Sequence, residues 1–256
     1  MISTGFGWRP SPQDSRDRPF GLVRDVLAAQ AAAPQAGAEY RIQLHRPARD
    51  QVGSSCTANA WCGAVEIRAD LEGRALPNRA AQGLYWCERQ RTGDASRDGG
   101  AWLRCGAESL RVFGVGPIET CPDNPATILE QPDPRFFVEG ADCKLSAYYA
   151  IDEIDPLDDI EIAVRADHPV VFGVYVGPDF VHYDGAPSTV FDPPTAILGG
   201  HAMIVVGVRG VAESREFLWR TSWGAWGING FGVAWASAKY MRTALDIWVA
   251  TSAVPL

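Results

Sequence analysis

The sequence predicts an α+β protein with two lobes, because helical patterns fill its first half and strand patterns fill its second. Helical spacing without an interrupting proline runs from Cys56 to about Leu71, and shorter helical patterns cover 79–93 and 100–115. In the second half, "PVVFGVYVG" (169–177) is a continuous apolar, β-branched run. Helices that precede the strands, instead of alternating with them, favour an α+β fold over a parallel α/β sheet.

The same patterns divide the chain into an arm and one two-lobed domain. "FGLVRDVLAAQAAA" (20–33) has helical spacing and then dissolves into a linker at 34–39. We therefore expect an N-terminal arm with a short helix over 1–40, and a domain over 41–256. The expected lobes of that domain are a helical lobe over about 50–145 and a β lobe over about 146–256.

The remaining elements of the β lobe are predicted from shorter patterns. "HAMIVVGVRG" (201–210) and "EFLWRTSWG" (216–224) predict two strands joined by a short turn near Glu213–Arg215. "GFGVAWASAKYM" (230–241) predicts another strand and a short helix. In the helical lobe, "TCPDNPATILEQPDPRF" (120–136) is predicted to be loop because of its prolines.

Composition excludes several classes of function. The net charge is −8 and the sequence has no block of Lys and Arg, so a nucleic-acid partner is not expected. No apolar run approaches the roughly 20 residues of a membrane span, so a membrane partner is not expected either. The first 20 residues have no apolar signal-peptide core, which predicts a cytoplasmic location. The sequence leaves the oligomeric state open.

The titratable residues form no convincing metal or cofactor motif. The cysteines lack a C-x-x-C pair, so we expect mostly free thiols and no structural zinc. His182 and Asp184 have no third ligand at metal spacing, and the acidic run 151–162 lacks the glycine of a calcium loop. Gly-rich stretches are not followed by Lys-Ser/Thr, which argues against a phosphate loop. No cofactor is therefore expected.

Cys56 and His201 are the strongest candidates for catalysis. In "DQVGSSCTANAWCGA" (50–64), Cys56 follows a Gly-Ser-Ser turn and begins the long helix, where unpaired N–H groups are expected to lower the pKa of a thiol. His201 follows Leu-Gly-Gly and begins an apolar strand, so it is placed to face a cleft. Each residue alone is also explained by a structural role, as a core cysteine or a hydrogen-bonded histidine.

Three blocks in order resemble the signatures of papain-like cysteine peptidases of the C1 family, of the bacterial or phage type without a long pro-domain. They are "DQVGSSCTANAWCGA" (50–64), "GGHAMIVVGV" (199–208) and "LWRTSWGAWGINGFG" (218–232). "GWRPSPQDSRDRPF" (7–20) and "DGGAWLRCGAESLRVFGV" (98–115) also resemble segments of such proteins. The resemblance implies a helical N-terminal lobe and an antiparallel, β-barrel-like C-terminal lobe with the active-site cleft between them.

The resemblance also implies an activity, hydrolysis of a peptide or amide bond in a peptide or protein substrate through an acyl-thioester. The implied catalytic residues are Cys56 as nucleophile, His201 as base and acid, Thr221 as the residue that orients the histidine, and Gln51 as an oxyanion donor with the Cys56 N–H. The implied substrate-binding residues are Gly99, Gly100, Gly200 and Trp223. Small or apolar residues near Gly100, 174–177 and Gly199 imply a preference for an apolar side chain beside the scissile bond.

Three departures from the family pattern fall around this site. Thr221 stands where the family has an asparagine, and Trp223 and Trp226 are three residues apart instead of four. Gln51 lies five residues before Cys56 instead of six, which leaves Asp50 at the usual spacing. A carboxylate there would oppose an oxyanion.

These departures leave alternatives open. The same Cys–His pair could serve an acyltransferase or amide synthase, in which an amine or a thiol replaces water. The cleft could also be a catalytically decayed binding module. The arm over 1–40 could wrap the body as a strap or lie in the cleft.

Overall fold

Most helices come first along the chain and most strands second, as the pattern predicts, in this computed structural model, which describes residues 5–33 and 38–252. Within these residues one short strand precedes the long helix, and three short helices lie among the later strands. The helices are α1 (Arg24–Gln30), α2 (Cys56–Leu71), α3 (Ala81–Arg91), α4 (Leu103–Val112), α5 (Pro134–Gly140), α6 (Leu157–Arg165), α7 (Pro178–Val181) and α8 (Ala238–Met241). The strands are β1 (Tyr40–Arg41), β2 (Ala147–Ala150), β3 (Val170–Val176), β4 (Val190–Phe191), β5 (Gly199–Arg209), β6 (Glu216–Arg220), β7 (Val233–Ser237) and β8 (Leu245–Ser252). The predicted α+β class is confirmed.

The long helix α2 is buried nearly all round, which explains its lack of a polar face. Its alanines, Trp61 and both of its cysteines are in the core. A helix that is apolar on every side belongs inside a domain, with other elements packed around it. Helices α3 and α4 pack on one side of α2, and strand β5 packs on another. The first residue of α2, Cys56, therefore lies where the helical lobe meets the sheet.

The sheet of the second lobe follows the order β2-β8-β3-β5-β6-β7-β4, with β1 paired to β5. The pairs are antiparallel except β4 with β7, which is parallel. The path is open, with β2 and β4 at its two ends, whereas the sequence predicted a barrel-like lobe. Strand β5 is central and apolar, as expected for a strand covered on both faces.

Some elements differ from the sequence-based predictions. The segment 120–136 was predicted to be loop, but α5 begins at Pro134. The side chain of Asp133 accepts the Arg135 N–H at 2.7 Å, so Asp and Pro start a helix here. The arm helix is shorter than 20–33, because a 3-10 turn over Phe20–Leu22 precedes α1. Residues 34–37 of the predicted linker lie outside the described residues, and the division at residue 40 stays a prediction.

The described part of the arm packs against both lobes. Trp8 forms a parallel bridge with Ala101 of the helical lobe, and Pro19 forms one with Ala150 in β2. Trp8 and Phe20 are both buried in the core. The first described residues of the chain are therefore part of the structure that surrounds Cys56.

Candidate active site

The loop before Cys56 is held in a fixed shape. Gly53 has a φ of +58°, a conformation that favours glycine. The Ser54 N–H donates to the Asp98 carboxylate at 3.0 Å, and the Ser55 hydroxyl donates to the Val52 carbonyl at 2.7 Å. This loop delivers Cys56 as the first residue of α2.

His201, Thr221 and Trp223 lie together. His201 is the third residue of β5, and Ile204 of β5 pairs with Arg220 at the end of β6. Thr221 follows β6 directly and therefore reaches His201, with 2.7 Å between Nε2 and Oγ1. The Trp223 ring stacks on the imidazole, with ring centroids 4.4 Å apart. The hydroxyl thus takes the position next to the histidine that the sequence assigned to it.

The Cys56 thiol lies against the strand that carries His201. The backbone groups of Ala202 and Gly7 lie near enough to the sulfur to favour its thiolate form and lower the pKa of Cys56. The His201 Nδ1 atom is buried and has no hydrogen-bond partner in the described parts of the chain. One ring nitrogen is therefore bound by Thr221, and the other is left without a partner.

Burial controls the ionisation of both groups. Burial raises the pKa of the Cys56 thiol to about 12, although the neighbouring backbone groups act in the opposite direction. Burial also lowers the pKa of His201 to about 3. The expectation that the helix N-terminus lowers the thiol pKa is wrong for this closed structure, because desolvation outweighs the helix terminus. At neutral pH the pair is a neutral thiol and a neutral imidazole.

Gln51 points into the site, although its spacing to Cys56 is short. Its Nε2 donates to the Gly5 carbonyl at 2.8 Å and to the Gly53 carbonyl at 3.0 Å. Its Oε1 accepts from the Ser222 hydroxyl at 2.6 Å, and this hydrogen bond fixes the orientation of the Gln51 amide. Asp50, which has the family spacing, is instead exposed. The Gln51 amide therefore faces the cleft. Although the loop before Cys56 is one residue shorter than the family pattern, the Asp50 carboxylate does not take the position of that amide.

Residues 5–9, hereafter the arm strand, occupy the cleft between the lobes. On one side the Ala101 N–H donates to the Gly7 carbonyl at 2.7 Å, and the Arg9 N–H donates to the Ala101 carbonyl at 3.0 Å. On the other side the Trp8 N–H donates to the Gly200 carbonyl at 3.2 Å. The arm strand is thus bound like an added β-strand to both walls, above Cys56.

Glycines allow this close approach. A Cβ on Gly100, where φ is +77°, would lie 2.1 Å from the Gly7 carbonyl oxygen. A Cβ on Gly200 would lie 2.5 Å from the Trp8 carbonyl oxygen. Gly100 and Gly200 therefore line the cleft, where the arm strand lies close to their backbone. Gly99 is instead exposed, and a Cβ there would meet nothing within 4 Å.

Several residues at the site were given no role by the sequence, although Asp98 and Ala101 lie in the block 98–115 that resembles the family. Asp98 accepts the Tyr85 hydroxyl at 2.7 Å as well as the Ser54 N–H, and the Gly100 N–H donates to that same Tyr85 hydroxyl at 2.9 Å. One hydrogen-bond network thus fixes both the loop before Cys56 and the backbone of Gly100, which lines the cleft. Ala101, which bonds the arm strand, acts through its backbone, so its side chain carries no signal.

A buried carboxyl group, that of Glu88, contacts the residue that follows Cys56. The Thr57 hydroxyl donates to Glu88 Oε2 at 2.6 Å, whereas Oε1 has no partner among the described residues. Burial raises the pKa of Glu88 to about 8 from 4.5. The folded protein therefore keeps this proton over a pH range in which the unfolded chain has released it.

The free energy of unfolding should consequently fall as pH rises from about 4.5 to about 8. The slope from this group approaches about 1.4 kcal/mol for each pH unit. Glu88→Gln removes the titration, so urea unfolding at about pH 5 and about pH 8 should show a smaller loss of stability in the variant than in the parent. Equal losses in the two proteins would contradict the assignment, since all other titrating groups are shared.

Other candidates from the sequence remain without a site. His182 is exposed after the short helix α7, and the part of the chain described here contains no group of three or more His, Cys, Asp or Glu side chains placed to hold a metal ion. The six cysteines are free thiols. No helix within 5–33 and 38–252 is long and apolar enough to cross a membrane.

Comparison with known proteins gives one relative by sequence. An uncharacterized peptidase C1-like protein of Acanthamoeba polyphaga mimivirus is 27% identical over 209 residues, which cover 76% of this chain. The matched part spans about two thirds, 66%, of that relative's length. No family model matches the chain.

Solved structures of cysteine proteases share the fold. Xylellain, a cysteine protease from Xylella fastidiosa, has a TM-score of 0.84 at 24% identity, over 98% of this chain and 97% of its own. Procathepsin B of Trypanosoma congolense has a TM-score of 0.71 at 16% identity, over 98% and 86%. Digestive procathepsin L 3 of Tenebrio molitor has a TM-score of 0.67 at 20% identity, over 99% and 76%. The resemblance to papain-like cysteine peptidases is thus confirmed, and these structures establish the fold.

Proposed function

We propose that this chain, whose fold is that of the papain-like cysteine peptidases, hydrolyses peptide or amide bonds through an acyl-thioester on Cys56. One observation carries the proposal. An extended peptide segment, the arm strand, is bound over the Cys56 thiol by backbone hydrogen bonds to both walls of the cleft. A cleft that holds one peptide strand in this way can hold a substrate strand, since backbone bonds do not depend on sequence.

The first half of the proposed reaction makes the thioester. Thr221 accepts the His201 Nε2–H, which leaves the Nδ1 lone pair free to take the thiol proton. The thiolate attacks the substrate carbonyl carbon, and the tetrahedral oxyanion receives hydrogen bonds from Gln51 Nε2 and a backbone N–H. The imidazolium then gives its proton to the departing amine as the C–N bond breaks.

The second half releases the acid. Water enters the position of the amine, and His201 takes its proton while the hydroxide oxygen attacks the thioester carbon. Collapse of the second tetrahedral intermediate breaks the C–S bond, and the proton returns to the Cys56 sulfur. No cofactor is needed for either half, because the thiol is both nucleophile and leaving group.

In the proposed cycle the arm strand leaves the cleft first. The Gly5 carbonyl now takes the Gln51 donor, and the arm lies over Cys56 and is bonded to Gly200, the residue before His201. Departure of the arm admits water to both side chains, which moves the pKa of the thiol down and the pKa of the imidazole up toward their usual values. The closed state is thus a resting state, and the open state is the reactive one.

Digestion of a peptide mixture in heavy-oxygen water tests the proposed function. Hydrolysis places the heavy isotope in each new carboxyl group, and Cys56→Ala protein prepared in parallel should give no labelled ends. Conjugated amides or thioesters without labelled acids would favour the acyltransferase or amide synthase instead. A decayed cleft would give neither product, and Cys56→Ala would then change nothing.

Thr221→Val should lower kcat/KM by about tenfold to a hundredfold, because it removes the hydroxyl that accepts from the histidine and leaves a buried N–H unsatisfied. Thr221→Ser is the matched control, since it keeps the hydroxyl and should retain most of the activity. The measurement is kcat/KM across pH with one peptide substrate. Equal activity of the valine and serine variants would show that His201 is oriented by another group.

A further inference from the structure

A small cavity lies between helix α2 of the helical lobe and strands β5 and β6 of the second lobe. It leaves about 20 Å³ for the centre of a bound species, which is room for one water molecule or one monatomic ion. The exposed residues His45 and Pro47 belong to its lining, so the cavity opens to solvent there. Because three arginines also line it, Arg46, Arg49 and Arg220, we call it the arginine cavity.

Two of these arginines are fully engaged with neighbouring groups. Arg46 binds both carboxylate oxygens of Asp70, at 2.7 and 2.5 Å. Arg49 donates to Glu66 at 2.6 Å, and all three of its guanidinium nitrogens are hydrogen-bonded. Glu66 and Asp70 are the carboxylates that line the arginine cavity, so each is neutralised by an arginine of its own. The charge of the third arginine remains.

Arg220 is a buried cation without a carboxylate partner in the described parts of the chain, although it is only 7% exposed. Its Nη2 donates to the Arg46 carbonyl at 2.6 Å, whereas Nε and Nη1 have no hydrogen-bond partner within 5–33 and 38–252. Burial lowers the pKa of Arg220 to about 10, so the guanidinium is still charged at neutral pH. A buried cation without a counterion is costly, and an anion bound beside it removes that cost.

Other carboxylates do not supply the missing counterion. Asp50 and Asp123 line a neighbouring crevice, but they do not line the arginine cavity. Burial also raises the pKa of Asp123, which opposes a negative charge on that side chain. With His45 neutral, three arginines and two carboxylates leave the arginine cavity with a net charge of +1. A single monovalent anion balances this charge.

We propose that the arginine cavity binds one small monovalent anion, a halide and above all chloride, on the free N–H groups of Arg220. A guanidinium is weakly hydrated and rich in donors, which favours such an anion, and the cavity is too small for sulfate or phosphate. Thr221 and Ser222, which follow Arg220, also line the cavity. Because they hydrogen-bond His201 and Gln51, the bound anion stabilises the segment that orients both of those side chains.

The test measures the unfolding temperature of the full-length protein while chloride replaces gluconate, which is too large for the cavity, at constant ionic strength. Chloride at about 0.2 M should raise the unfolding temperature by about 3 °C or more, because a ligand that binds only the folded protein stabilises it. Arg220→Gln should lose this rise. In gluconate, the same variant should be at least as stable as the parent, because it removes the cation that lacks a counterion. Arg111→Gln, which removes an exposed arginine from α4, is the matched control and should keep the full rise.

An equal rise in the parent and in Arg220→Gln would overturn the inference, since chloride would then act elsewhere on the protein. The absence of any rise in the parent would overturn it as well. Bromide provides a second measurement that needs no folded variant and no enzymatic activity. In crystals of the parent protein soaked in bromide, anomalous scattering should place one ion in contact with the Arg220 guanidinium. Bromide found only on the outer surface of the protein would contradict the proposed site.

Discussion

Gly7→Ala should raise the rate at which Cys56 reacts with iodoacetamide, and the rate of peptide hydrolysis, by about tenfold to a hundredfold. A Cβ on Gly7 would lie 1.7 Å from the Ser54 carbonyl oxygen, in the rigid loop before the nucleophile. The loop is held by Asp98, so the arm strand must move instead. Since the φ of Gly7 is not positive, alanine adds the steric clash without backbone strain. Peptide mapping of the labelled protein measures the effect at Cys56.

Gly21→Ala is the matched control for the arm. Gly21 is exposed in the 3-10 turn before α1, and a Cβ there would meet nothing within 4 Å. It should therefore leave the labelling rate unchanged, whereas Gly5→Ala, with its Cβ 1.8 Å from the Gly53 carbonyl oxygen, should act like Gly7→Ala. Labelling that stays equally slow in all of these proteins would mean that the arm does not close the cleft.

Cys56→Ala, made in the Gly7→Ala protein, should reduce peptide hydrolysis by more than about a thousandfold. In the proposed reaction the sulfur forms the covalent intermediate, so its removal leaves only binding and the oxyanion donors, which act weakly without a nucleophile. The measurement is kcat/KM with one fluorogenic peptide. The free energy of unfolding should change little compared with this loss of kcat/KM, so we expect a folded protein without activity.

Cys62→Ala is the matched control for loss of a buried thiol. Cys62 is also fully buried on α2, six residues after Cys56. Its replacement should lower the unfolding temperature through lost packing, with activity per folded molecule retained. Hydrolysis that survives in Cys56→Ala, or that disappears equally in Cys62→Ala, would refute the role of Cys56 as the nucleophile.

The fold and the residues Cys56 and His201 could be predicted from the sequence, because each is marked by a pattern within one short segment of the chain. Helical periodicity and β-branched runs gave the order of helices before strands. The blocks around Cys56 and His201 indicated a papain-like cleft. Thr221 was placed beside His201 by the resemblance alone, since it stands where the family has an asparagine, and the antiparallel pairing of β5 with β6 brings it there.

Other features depend on distances between segments that no local pattern contains. Residue counting put Asp50 at the oxyanion position, but Gln51 is the side chain that faces the cleft and is hydrogen-bonded by Ser222. The thiol pKa was expected to fall, since a helix start is visible in sequence whereas burial by the arm is not. Asp246 lies in an ordinary strand pattern, and only the structure shows that its carboxylate accepts the Trp8 indole N–H at 3.2 Å.

Acid-quenched mass spectrometry can detect the proposed acyl-thioester on Cys56 itself. Gly7→Ala protein is mixed with an activated ester of a short peptide, quenched within the first turnovers and mapped by proteolysis. We expect one acyl group, located on Cys56, that neutral hydroxylamine removes and that the added substitution Cys56→Ala abolishes. Hydrolysis without any acylated cysteine, or an acyl group on a different residue, would contradict it.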